Sequence, residues 1–160
     1  VAEDTEGVPE VNVDTVQELE KPRLVSLLFY DFANRTANGK FNLSGIFDRI
    51  LVDLNKKRTR SFGLFTKTAE THKGIIRILI LDPNGKLVVA LDFGMDATEF
   101  PPDQKYHITQ ASGAIEFDTP IEGLYWFDVS YNGKSLGGTA LQIEFATQEK
   151  RDGSNADSNA

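Results

Sequence analysis

The sequence predicts an all-β domain: a two-sheet antiparallel β-sandwich of the immunoglobulin-like or a related Greek-key kind, with about eight strands. Three observations carry that expectation. Asn-Gly-Lys recurs three times, at Asn38-Gly39-Lys40, Asn84-Gly85-Lys86 and Asn132-Gly133-Lys134, each time between β-rich runs; Asn and Gly tolerate the positive φ that tight hairpin turns need. Between the turns apolar residues alternate, and no segment in the central part of the chain keeps helical spacing over two turns. Alternation on several strands leaves an apolar face that one sheet alone cannot bury, so two sheets must pack together.

The first turn joins a strand over 23–32 to one over 40–54. In the second of these Phe41, Leu43 and Phe47 share one parity, and Ile46, Ile50, Val52 and Leu54 the other, which predicts a bulge or bend near Gly45. Pairing about the turn sets Asp31 opposite Ile46 and Asp48 opposite Phe29. A third strand follows over 61–69. The second turn joins 75–81 to 86–94, and the run Ile75–Leu81 is apolar on both parities, as expected of a covered central strand or one that supports an interface. The segment 106–118 supplies one or two further strands, and the last turn joins 124–131 to 139–147. There Tyr125, Phe127, Val129 and Tyr131 face the core with Leu141, Ile143 and Phe145, whereas Trp126, Asp128 and Ser130 face away. Tyr125, just after the Pro120–Gly123 turn, is placed to form a tyrosine corner with a nearby backbone group. The one helical candidate, 13–21, is too short to hold by itself.

Charge divides the chain into three. Residues 1–20 carry seven acids and no base; residues 21–147 sum to +1; residues 148–160 sum to −1. Acidic segments poor in aromatics cannot offset their ordering entropy by burial, so 1–20 and 148–160 read as disordered tails around a β-sandwich domain at 21–147. No apolar run reaches the ~18 residues of a membrane span. The absence of Cys excludes disulfides and Cys-ligated metals and fits a reducing compartment, here the cytoplasm. No basic-then-apolar leader is visible in the residues given. The two glycosylation sequons, at Asn34 and Asn42, read as chance.

No catalytic signature is present: there is no G-x-S-x-G elbow, P-loop or dinucleotide fingerprint, and the chain reads as no enzyme and without a cofactor. Asp31 and Asp48 each interrupt an apolar strand and would matter if they converged, but an acid at a strand end more often meets Lys or Arg. Asp92, Asp96, Asp103, Asp118 and Asp128 are scattered rather than clustered for calcium. His72 and His107 lack further ligands at metal spacing and read as surface histidines, so no metal site is expected. The basic run Lys56, Lys57, Arg58 and Arg60 is a candidate contact for an anion or acidic partner, the chain's own acidic tail included; without interleaved aromatics nucleic acid is not expected. Trp126, with Tyr30, Phe32 and Tyr106 as companions, is the candidate aromatic platform for a small ligand or carbohydrate, set against burial under the loop 98–104 with Phe100.

The stretches Leu28-Phe29-Tyr30-Asp31, Gly39 to Asp48 (GKFNLSGIFD), Asp82-Pro83-Asn84-Gly85 and Pro120 to Phe127 (PIEGLYWF) resemble a family of short bacterial proteins, a domain of unknown function. The resemblance implies a β-sandwich of bacterial or phage origin and brings no catalytic residues. The expectation is therefore a non-enzymatic interaction or structural module that binds a protein partner or itself through an apolar strand face or an unpaired edge. A small-ligand or carbohydrate module built around Trp126 is the alternative.

Overall fold

A computed structural model describes residues 21–71, 74–95 and 107–146. The expected helix at 13–21 and both tails lie outside these residues, apart from Lys21, as do His72, Asp96, Asp103, Tyr106 and the loop 98–104. Nine strands are formed in order: β1 (Arg23–Arg35), β2 (Phe41–Phe47), β3 (Arg49–Asp53), β4 (Phe62–Ala69), β5 (Gly74–Leu81), β6 (Leu87–Met95), β7 (Ile108–Ile115), β8 (Gly123–Tyr131) and β9 (Lys134–Ala146). They make a four-stranded sheet, β2-β1-β4-β7, and a five-stranded sheet, β3-β9-β8-β5-β6. The chain crosses between the sheets at β2–β3, β3–β4, β4–β5, β6–β7 and β7–β8, which makes a Greek-key sandwich of the immunoglobulin type.

All three Asn-Gly turns close hairpins, β1–β2, β5–β6 and β8–β9. Gly39, Gly85 and Gly133 take φ of 80°, 79° and 84°, as the turn chemistry requires. The strand expected over 40–54 is instead two. Phe47 and Ile50 both face the core although their parities differ, and the chain reconciles them by changing sheet at Asp48. Its second half, β3, then runs parallel to β9, from Arg49 opposite Gln142 to Asp53 opposite Ala146, so the sandwich is not wholly antiparallel. The bend expected at Gly45 is also present, with φ of 65°. The β1–β2 register is one residue from expectation, Phe29 facing Phe47 and Tyr30 facing Ile46. β9 begins at Lys134, five residues before the expected Thr139, across a register shift at Val129/Ser130.

The core is built from Phe29, Phe62, Leu64 and Ile115 on one sheet and Ile78, Ile80, Phe127, Val129, Leu141 and Ile143 on the other. Phe117, arriving from the loop after β7, fills the middle at 5.7 Å from the Tyr125 ring and 5.9 Å from Phe127. Edge-to-face contacts of this kind, such as Phe29 on Phe127 at 4.7 Å, add to plain area burial. The Tyr125 hydroxyl donates to the Ile121 carbonyl at 2.8 Å, forming the expected tyrosine corner.

The four-stranded sheet is covered on its outer side too. Tyr30 and Phe65 point away from the core, yet are only 7% and 6% exposed. Tyr30 lies on the bare backbone of Gly63, where an added Cβ would come within 2.0 Å of the ring. Phe41 packs edge-to-face on Phe65 at 5.4 Å. The distal half of the β1–β2 hairpin thus arches back over the sheet, pivoting at Gly45.

Candidate functional site

The face that remains open is the outer side of the five-stranded sheet. Alternation dictates its content: on β8, Tyr125, Phe127 and Val129 are fully buried, so Leu124, Trp126, Asp128 and Ser130 must point outward. Strand pairing then lays these residues in rows. Leu87, Leu81, Trp126 and Ala140 form one row across β6, β5, β8 and β9, and Ala90, Leu79, Asp128 and Gly138 form the next. Leu124 is 60% exposed, Leu87 52% and Trp126 42%. These side chains form a contiguous apolar strip; Leu51, 41% exposed at the β3 edge, is set apart from it by Gln142 and Glu144. Exposed large apolar residues scattered singly need no explanation, whereas a continuous patch marks a contact surface.

Polar groups frame the strip and are largely bonded to one another. Arg77 grips Asp92 with two parallel bonds, Nε to Oδ1 at 2.6 Å and Nη2 to Oδ2 at 2.8 Å. The same bonds hold the Asp92 carboxyl below the usual carboxylate range and raise Arg77. Ser135 Oγ donates to Asp128 Oδ1 at 2.7 Å, and Glu144 accepts from Gln142 at 2.8 Å and faces Arg49 at 3.7 Å. A shallow hollow of about 420 Å³ lies at the polar end, between Ile75, Arg77, Leu79, Asp128 and Ser135.

Trp126 therefore points outward as its parity predicts, but two of its expected companions, Tyr30 and Phe32, do not lie beside it, and the third, Tyr106, is outside the described residues. Tyr30 is buried and Phe32, 62% exposed, projects from the other sheet. The described neighbours of Trp126 on its own face are Leu81, Leu124, Ala140 and Asp128, so no platform of coplanar aromatics is formed there among the described residues. The sequence reading missed Leu79, Leu81, Leu87 and Leu124 as its companions. The two hairpin turns hold part of that signal, but the β5–β8 pairing that sets Leu81 beside Trp126 is non-local.

Three cations of the basic run already have partners within the fold. Arg58 binds Asp118 at 2.7 Å and Glu116 at 3.2 Å, pinning the 55–60 loop to the segment after β7. Arg60 binds Asp31 at 2.5 Å and stacks over Phe47 at 5.3 Å, and Lys57 stands over Phe145 at 6.0 Å. Only Lys56 of the four has neither a salt bridge nor a ring contact among the described residues. Three of the cations thus serve the loop itself, because an Arg beside strand-end acids meets them before any ligand does.

Asp31 is occupied by Arg60 and Asp48 marks the change of sheet, its carbonyl accepting from Gln142 N at 2.9 Å. Asp92 and Asp118 hold arginines and Asp128 holds Ser135. Among the described residues no group of three or more His, Asp or Glu could hold a metal ion, and no helix is long and apolar enough to cross a membrane.

A profile of a family of unknown function (DUF6941) matches residues 25–144, three quarters of the chain. The protein belongs to that family. Among solved structures it is similar to an immunoglobulin-like protein from Pseudomonas aeruginosa, at 12% identity and a TM-score of 0.41, over 78% of this chain and 97% of that one. No curated protein matches. The matched span of the DUF6941 family runs from β1 into β9 and so takes in the whole apolar strip.

Proposed function

We propose that this DUF6941 protein is a non-enzymatic recognition module, a structural part of a bacterial assembly, whose working surface is the outer face of the five-stranded sheet, and that the occupant of this face is a second copy of the chain. The contiguous row Leu87–Leu81–Trp126–Ala140, with Leu124 beside it, carries the reading. A two-fold interface sets each residue against its own kind of surface, so an unpaired charge would meet its like. Two pairs of charges on this face are matched internally, Arg77 with Asp92 and Arg49 with Glu144, and Asp128 is capped by the Ser135 hydroxyl, which lowers the repulsion a second copy would meet. Five strands at ~4.8 Å spacing and about seven residues at ~3.4 Å give a face of about 550 Å². That is below the ~800 Å² per partner of a standard interface, so the contact belongs with the weaker, exchanging associations.

The test is sedimentation of the wild-type protein over about 1–200 µM, beside Trp126→Ser and Leu124→Asp. A concentration-dependent dimer in the wild type that both substitutions abolish supports the reading. A wild-type monomer throughout, or a dimer that both variants retain, overturns it. The carbohydrate alternative gains nothing from the geometry, because no described neighbour of Trp126 on its face is aromatic.

A further inference from the structure

The arched β1–β2 hairpin leaves a cleft of about 530 Å³ between its tip and the outer side of the four-stranded sheet. The sheet side is one row across β1, β4 and β7, made of Ser26, Lys67 and Gln110. The hairpin contributes Asn38, Lys40 and Leu43, and the Phe41–Phe65 pair makes the floor. Arg35 lies over the Phe41 ring at 5.4 Å. Lys40, Lys67 and Arg35 form no salt bridge among the described residues, and no carboxylate lines the cleft. This is the reverse of the 55–60 loop, whose arginines are spent on nearby acids. Two lining lysines, with Arg35 close by on Phe41, an amide or hydroxyl at each side and an apolar floor describe a receptor for an acidic peptide with apolar residues between its acids.

We propose that this cleft binds acidic peptide and that its occupant is the chain's own segment 1–20. Charge complementarity is the first argument: the segment carries Glu3, Asp4, Glu6, Glu10, Asp14, Glu18 and Glu20 and no base, with Val11, Val13, Val16 and Leu19 interspersed. Covalent position is the second. Residue 20 lies three residues before the start of β1, and Ser26 lies three residues after it, each about 10 Å of extended chain. A segment that turns back at β1 therefore brings Glu20 level with the Ser26–Lys67 row and Glu18 level with the Leu28–Phe65 row beside it, and the tether keeps its effective concentration high. The cleft is on the opposite sheet from the Trp126 strip, so the two proposals stand or fall separately.

The experiment is timed cleavage of the full chain at Glu18 and Glu20 by a glutamate-specific protease, in low salt and in about 0.5 M salt, where screening shortens to a few ångströms. The proteins are wild type, Lys40→Glu with Lys67→Glu, and Lys56→Glu as a control on the basic loop. Cleavage of a bound segment follows its open population. The expected result is about fivefold or greater acceleration in the double variant, the same acceleration of wild type by salt, and no change in Lys56→Glu. Rates independent of protein concentration place the contact within one chain. Equal rates in wild type and the double variant, acceleration by Lys56→Glu instead, or protection that grows with concentration each overturn the proposal. Should the double charge reversal unfold the domain, Lys40→Gln and Lys67→Gln, which remove charge without adding acid, give the same readout.

Discussion

At the scale of single residues, Tyr125 shows how one polar atom can fix a loop. Its ring is buried among core aromatics and its hydroxyl ends on the Ile121 carbonyl. Burial raises the hydroxyl pKa, so the group stays a donor across the physiological range. Tyr125→Phe is expected to cost about 1–2 kcal/mol, because the carbonyl loses its partner without any change in core volume. A thermal melt about 3–6 °C below wild type, with unchanged strand content by circular dichroism, is the corresponding observation. The corner was legible in the sequence because a Pro/Gly turn two residues before a strand Tyr is a local signature. Trp126's outward direction was legible for a similar reason, since parity on one strand needs no knowledge of its neighbours.

At the scale of elements, what was legible and what was not separate along the same line. The three hairpins could be read because their turns are written in Asn-Gly. The sheet change at Asp48 could not be placed, since Phe47 and Ile50 announce only that the parity breaks, and Gly45, a visible breaker three residues earlier, takes the bend but keeps the sheet. The arginines of the 55–60 loop look like an open cationic patch in one dimension, and only the fold shows Asp31, Glu116 and Asp118 beside them. Gly45 is the element-scale test. It holds φ of 65° and an added Cβ would stand 2.6 Å from Asp31 Oδ2, whereas Gly85, at φ of 79°, has open space around it. Both Gly→Ala changes carry the left-handed backbone penalty of about 1–2 kcal/mol. Gly45→Ala is expected to exceed Gly85→Ala by about 1 kcal/mol or more, because Asp31 is tied to Arg60 and cannot step aside. Urea denaturation of the two variants compares them directly.

At the scale of the whole molecule, the two sheets have different outer faces: one covered by its own hairpin, the other open. If the open face holds a second copy, association is linked to folding, and the melting temperature of the wild type should rise with protein concentration. In Trp126→Ser that slope should flatten, which calorimetry at a low and a high concentration measures. The parallel ladder between β3 and β9 has a different consequence. Arg49 and Gln142 are paired although 93 residues separate them, and Ile50, Leu51 and Val52 have no other strand neighbour. During synthesis these residues must wait, unpaired, until nearly all of the domain has left the ribosome. Closure of the sandwich is therefore a late event of long-range order, slow by the measure of contact distance. A chain stalled before β9 presents a short apolar strand with no partner, which is where quality control or misassembly would find it.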